Sequence, residues 1–338
     1  MELVPGSPRI VATLDSDPAL GVVKWKPVKS IWIGSMTAAA VVFGPLTFSW
    51  EALAVFLALS AVTLCGGHSV GMHRRLIHGS FECPLWLEYF LVWLGAMVGM
   101  AGPVGMIRQH DIRDWAQRQS ACHDYLCHRR SFWHDAWWQL HCELHLTHGP
   151  EIRLEPRLAN DRVYAWMERT WMWQQLPLAL ILFALGGSGF VVWGIAVRVS
   201  VCVTGHWLVG HFAHLEGPQS FIVRDAGVQG FDVPIAGLIS MGESWHNNHH
   251  AYPGSARIGL LPDQPDPGWW LILALKRVGL AWNIRTPETM PLRPELVRIT
   301  SDGSGCPLLR RIRLALRDRI RPSVPSQWRQ PFLSLPVF

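Results

Sequence analysis

The apolar positions of this chain come in long runs, and the runs come in pairs. From Ile31 to Met72 Glu51 is the only formal charge, and the run breaks near its middle at Gly44-Pro45 and Ser49-Trp50-Glu51. Each arm approaches the roughly 20 residues that a bilayer core demands, which predicts a transmembrane helical hairpin. Trp171 to Gly210 repeats the pattern, broken at Gly186-Gly187-Ser188-Gly189, with Arg198 as its only charge. A second hairpin is expected there, with Arg198, a costly charge inside an apolar run, facing protein or water or snorkelling from a shifted helix end. The segment Trp86 to Ile107 is long enough to be a fifth span. A full crossing would put His73 and His78 on the opposite side from the histidines that follow, so the segment is read as lying in the interface or entering and returning. In the tail, Leu309, Ile312, Leu316 and Ile320 recur at helical spacing among arginines. That is the pattern of a basic amphipathic helix on a membrane surface, or of a solvated one.

The fold class that follows is an all-α integral membrane protein, with four transmembrane helices as two hairpins (about 30–72 and 171–210) under a helical cap. Residues 1–28 would form an N-terminal segment, 29–290 the membrane domain with an in-plane segment at about 86–107, and 291–338 a basic tail. The hairpin turns lack Lys and Arg, whereas Lys24, Lys26, Lys29, Arg74, Arg75, Arg162 and Arg169 flank the spans. The positive-inside rule therefore puts both termini and the polar stretches in the cytosol.

Composition agrees with a lipid-embedded class: 49% of the 338 residues are hydrophobic and 16% charged. The seven cysteines include no CxxC pair, which argues against a disulfide frame or zinc ribbon and for a reducing compartment. The net charge of +5 lies in loops and tail, without the interleaving of a nucleic-acid binder, and reads as affinity for membrane lipid. No secretory signal pattern opens the chain, and no repeat of fixed period is visible.

The chemistry is carried by histidine. All sixteen histidines lie between His68 and His250, most of them just beyond an apolar segment. Neutral imidazoles converging from several segments are what transition metals require. In His246-Asn247-Asn248-His249-His250 the three rings fall within about a 100° arc of a helix, a spacing suited to shared ligation. His73 and His78 are five residues apart, which on a regular helix turns the second ring about 140° from the first. The two could serve different metals or flank a helix end. His214 is a lone candidate at the end of the second hairpin. His141, His145 and His148 have steps of four and three, but loop or outer roles suit them better than ligation, and His68 reads as a buried, hydrogen-bonded ring.

The segments GMHRRLIH, WLVGHFAHLEG and GESWHNNHHAYP resemble the HxxxxH box, the additional-histidine segment and the HNxHH box of membrane fatty acyl desaturases, above all the stearoyl-CoA desaturase branch. The likeness covers roughly Trp25 to Trp282. It implies two non-haem iron ions that activate O2, remove hydrogen from an unactivated methylene and leave a cis double bond in a fatty acyl chain. It also implies ligands at His73, His78, His214, His246, His249 and His250. The middle box departs from the family's HRxHH: His110 is kept, but Arg113 and Asp114 stand at the last two positions. Asp114, one turn after His110, is a competent replacement ligand; alternatively His123 and His128 fold back to fill the site, or Asp114 merely pairs with Arg113 or Arg118. The family's Asn four residues before the lone histidine is Gly210 here. Without a haem-binding or iron-sulfur motif in the chain, electrons are expected from a separate donor of the ferredoxin, rubredoxin or cytochrome b5 type. A hydroxylase, or a descendant that has lost catalysis, would share most of this pattern.

Overall fold

The computed structural model describes residues 9–299, so the tail helix expected from Leu309 to Ile320 lies outside the described residues. Helix α1 (Pro27–Phe43) begins with proline at its first position and ends at Gly44, where Pro45 cannot continue it. After a tight turn, α2 (Trp50–Val62) starts at Ser49, whose side chain accepts the Ala52 N–H. Without interruption α2 passes into a π-helical segment, Thr63–Ile77, making one helix of 28 residues. The second apolar run is α8 (Gln175–Val191), a short π turn, and α9 (Arg198–Ala213). Its backbone breaks at the glycines, with Gly187 at a φ of +68° that favours glycine. Gly194 packs on Leu182 there, so the run folds back as a hairpin. Trp193 Nε1 donates to Gly44 C=O at 3.1 Å, which holds the two hairpin turns together.

Trp50–Ile77 and Gln175–Ala213 are long and apolar enough to cross a membrane, while Pro27–Phe43 and Leu85–Ala96 are shorter apolar helices. Only 33% and 28% of the most apolar windows of the two long helices are buried inside the protein, so these helices do not behave as the core of a water-soluble domain.

The in-plane segment divides into α3 (Leu85–Ala96) and α4 (Pro103–Arg118). Twelve residues of α3 reach about 18 Å. A Cβ on Gly67 would stand 2.4 Å from the Leu94 carbonyl carbon, and one on Gly71 would stand 2.4 Å from the Leu91 carbonyl oxygen. Small residues thus let the π segment and α3 touch backbone to backbone, as in lipid-embedded helix pairs. Met72, Leu76 and Ile77 continue this contact into a core with Val92 and Ala96 of α3 and Met106 and Ile107 of α4.

The remaining helices are α5 (Phe132–His141), α6 (Pro156–Ala159), α7 (Arg162–Thr170), α10 (His246–Ala251) and α11 (Pro267–Arg277). Short strands β1 (Ile10–Val11) and β2 (Gly21–Trp25) pair antiparallel with β4 (Glu151–Ile152) and β3 (Cys142–Leu146), respectively. Strand β3 is why the spacing of His141, His145 and His148 makes no helix face. His145 instead pairs with Glu143 at the surface, and His141 meets the Ser30 hydroxyl.

Arg198 turns inward: it is fully buried and donates to the carbonyls of Met97 and Gly194 and to Gln175 Oε1 at 2.6–2.7 Å, so it satisfies groups within the protein.

Candidate metal centre

Four elements bring histidines together. The π winding resolves the five-residue step in the first box. The His78 N–H bonds to the His73 carbonyl at 3.1 Å, an i→i+5 bond, which brings the rings edge to face at 4.8 Å instead of turning them away. His73 and His78 meet His110 of α4 and His249 of α10 in one group, whose nitrogens lie within 4.8 Å of one another. His214, His246 and His250 form a second group. The third box is therefore divided between the two groups.

Helix α10 can be divided because its asparagines are spent on anchoring. Asn247 Oδ1 accepts the N–H groups of Ser220 and Phe221, and its Nδ2 donates to the carbonyls of Phe221 and Gly230, all at 2.8–2.9 Å. Asn248 Nδ2 donates to Ile258 C=O and Gln264 Oε1. With both amides turned into the protein, the three imidazoles are left for the groups.

The nitrogen spacing fits bound cations. His78 Nε2 and His110 Nε2 are 3.3 Å apart, and His246 Nε2 lies 3.2 Å from the Nε2 atoms of both His214 and His250. Two nitrogens bound at about 2.1 Å to one ion sit about 3.0 Å apart across an octahedral angle and about 3.4 Å across a tetrahedral one. His214 Nδ1 donates to Gly210 C=O at 2.6 Å, which leaves Nε2 unprotonated toward the group. His73 Nδ1 lies 2.6 Å from Glu243 Oε2, so Nε2 is likewise the inward atom. Burial opposes ionisation of Glu243, yet neighbouring His73 and Arg74 hold its carboxyl well below the usual range. Burial also pushes His214, His246 and His249 well below the ordinary imidazole value and His250 down to about 4. These rings are neutral at pH 7 and keep their lone pairs.

The altered box leads elsewhere. Asp111 is buried against Arg9 at 3.3 Å. Arg113 Nη1 donates to His128 Nε2, and Nη2 to Gln139 Oε1, both at 2.9 Å. Asp114 Oδ2 is 3.5 Å from Arg118, and Oδ1 is 3.9 Å from His110 Nδ1. Burial would raise the Asp114 carboxyl, but His110 and Arg118 outweigh it and keep it low. Asp114 also borders a void shared with His249 and His250, so it is paired and yet still faces the histidine groups.

His123 does not join either group: its Nδ1 accepts the Tyr125 N–H, and its ring lies against Trp138. His128 approaches closer, with its ring stacked on His214 at 5.2 Å, but both of its nitrogens are engaged. His128 Nδ1, His211 Nδ1 and Trp207 Nε1 all stand 2.8 Å from Asp135 Oδ2, a buried hydrogen-bond hub whose His128, Asp135 and His211 also lie close enough together to hold an ion. Burial brings His128 down to about 4 despite Asp135, so the ring is neutral. His68 is buried as expected, but its Nδ1 has no hydrogen-bond partner among the described residues, and its ring meets His206 edge-on. Sequence reasoning passed over Glu243 and Gln117. Their only signals were Glu243 standing three residues before the third box, and Gln117 sharing a helix face with His110 at i+7.

Comparison with known proteins gives the following. No family model matches the chain. It is 34% identical over 260 residues to the sn-1 stearoyl-lipid 9-desaturase of Anabaena variabilis, covering 76% of this chain and 92% of that protein. It is 33% identical to the sn-2 palmitoyl-lipid 9-desaturase of a Nostoc species, over 76% and 89% of the two chains. An acyl-CoA 5-desaturase of Anemone leveillei is 31% identical over 74% and 76%.

Proposed function

The chain belongs to the fatty acyl desaturase family, and from that premise we propose that it inserts a cis double bond into a saturated fatty acyl chain at a pair of histidine-held iron ions. The observation that carries the iron reading is the pair of facing imidazole groups with Nε2 atoms 3.2–3.3 Å apart. His73, His78, His110 and His249 would hold one ion; His214, His246 and His250 would hold the other, with Asp114 supplying an oxygen where the middle box lacks an imidazole. Iron bound there supplies the O2-activating redox chemistry that removing hydrogen from an unactivated methylene demands. The overall change balances as one O2, two electrons and two protons added, two hydrogens lost from adjacent methylenes, and two waters formed. This chain contributes geometry: Glu243 fixes the His73 ring, and Asn247 and Asn248 pin α10.

A four-span reading, with both hairpins in the bilayer and the metal groups on the cytosolic face, is supported by the two long apolar helices, the adjoining hairpin turns and the basic flanks. Electrons would arrive from a separate carrier, and the net charge of +5 favours an acidic one. Relatives acting on lipid-linked and CoA-linked chains match similarly, so the acyl carrier is left open.

Expression in a desaturase-deficient host followed by fatty-acid profiling tests the proposal. A new monounsaturated acyl chain is expected from the wild type and none from His249→Ala, with both proteins inserted in the membrane. A hydroxylated product, or full activity of His249→Ala, would overturn it.

A further inference from the structure

Asp114, Gln117, Arg118, His249 and His250 bound a void of about 10 Å³, close to the least volume that one water molecule requires. His249 belongs to the first histidine group and His250 to the second, so the void touches both. Gln117 enters from α4, three residues after Asp114 and seven after His110, on the same helix face. Its side chain is 2% exposed.

The orientation of its amide is fixed from outside the site. Nε2 donates to Leu126 C=O at 2.7 Å, and a carbonyl oxygen accepts only from the N–H end. The second Nε2 proton is left for His214 Nε2, 2.9 Å away, the atom already identified as unprotonated and inward. Once that lone pair is given to a cation it accepts no proton, and an amide N–H cannot ligate a cation. The N–H then faces the coordination sphere as a donor, beside a cavity of one small molecule's size.

We propose that this void is the binding site of one small lone-pair ligand, water-sized or a small anion, and that Gln117 is the positioning residue that donates a hydrogen bond to it. The proposal rests on the reading of both histidine groups as metal sites. Asp114 and Arg118 also line the void, with one negative and one positive charge, so the neutral N–H, not net charge, orients the ligand.

Azide is the probe, because a small anion taking an open position on ferric iron gives a charge-transfer absorption that can be titrated. The full-length iron-loaded protein is compared with Gln117→Met, which keeps the bulk and removes the N–H, and iron per protein is measured on the same samples. Gln117→Met is expected to hold two irons and to bind azide about tenfold more weakly, the worth of one hydrogen bond to a charged acceptor. Unchanged azide affinity overturns the proposal, and so does a fall to one iron, which would make Gln117 a ligand. Should Gln117→Met fail to fold, Gln117→Glu serves, since it puts an acceptor where the donor stood. It is expected to exclude azide, and wild-type affinity there also overturns the proposal. A wild type that binds no iron would instead defeat the metal reading itself.

Discussion

Charge pairing and ligation compete at Asp114. Its carboxylate has Arg118 at 3.5 Å, a long contact, and otherwise looks toward His249 and His250 across the small void. If ligation dominates, Asp114→Ala drops iron from two toward one per protein and abolishes product, while Asp114→His retains part of both because an imidazole is a competent substitute. If the ion pair dominates, Asp114→Asn costs some stability and leaves iron at two. Iron per folded protein across the three variants decides; an Ala variant with unchanged iron and turnover removes Asp114 from the site. The histidines of both groups were legible in the sequence through the box motifs that carry the family resemblance. The route of Arg113 was not. It depends on His128, which reaches the space over Gly210 only once α5 and α9 have packed, with a Cβ at residue 210 just 3.4 Å from the His128 ring. Glu243 and Gln117 were missed for the same reason: a ring's partner is chosen by tertiary approach.

Helix elements were readable as far as hydrophobic runs and breakers report them, and the runs at Ile31 to Met72 and Trp171 to Gly210 correspond to helices folded at their glycines. Winding was not readable. An i→i+5 ladder leaves no mark on an apolar pattern, so the five-residue step appeared to point two rings apart when the π segment points them together. In α10, a helix of only six residues, position is set by side chains. Replacing Asn247 by alanine removes four hydrogen bonds made by one buried amide and strands the backbone partners. A loss of about 3 kcal/mol is expected, with iron content falling although no ligand has been touched. Unfolding in detergent and metal analysis of Asn247→Ala check this; wild-type values for both would mean that α10 is held by something else.

At the scale of the whole molecule the proposed orientation makes a direct prediction. With the two turns together at one end, Ser49→Cys and Ser188→Cys should react with an impermeant thiol reagent from outside, whereas Arg108→Cys, exposed on α4, should react only after permeabilisation. Labelling at residue 108 from outside would put α4 and its His110 on the wrong side of the bilayer. The order in which a ribosome delivers this chain gives the divided third box one more consequence. His73, His78 and His110 emerge early, yet each metal group needs a ring from α10, which lies beyond both hairpins. On the proposed metal reading, neither group can close until α10 has been made, so a chain truncated before α10 would carry most of the proposed ligands and neither closed group, and iron retention would separate chains that reach α10 from those that stop short of it.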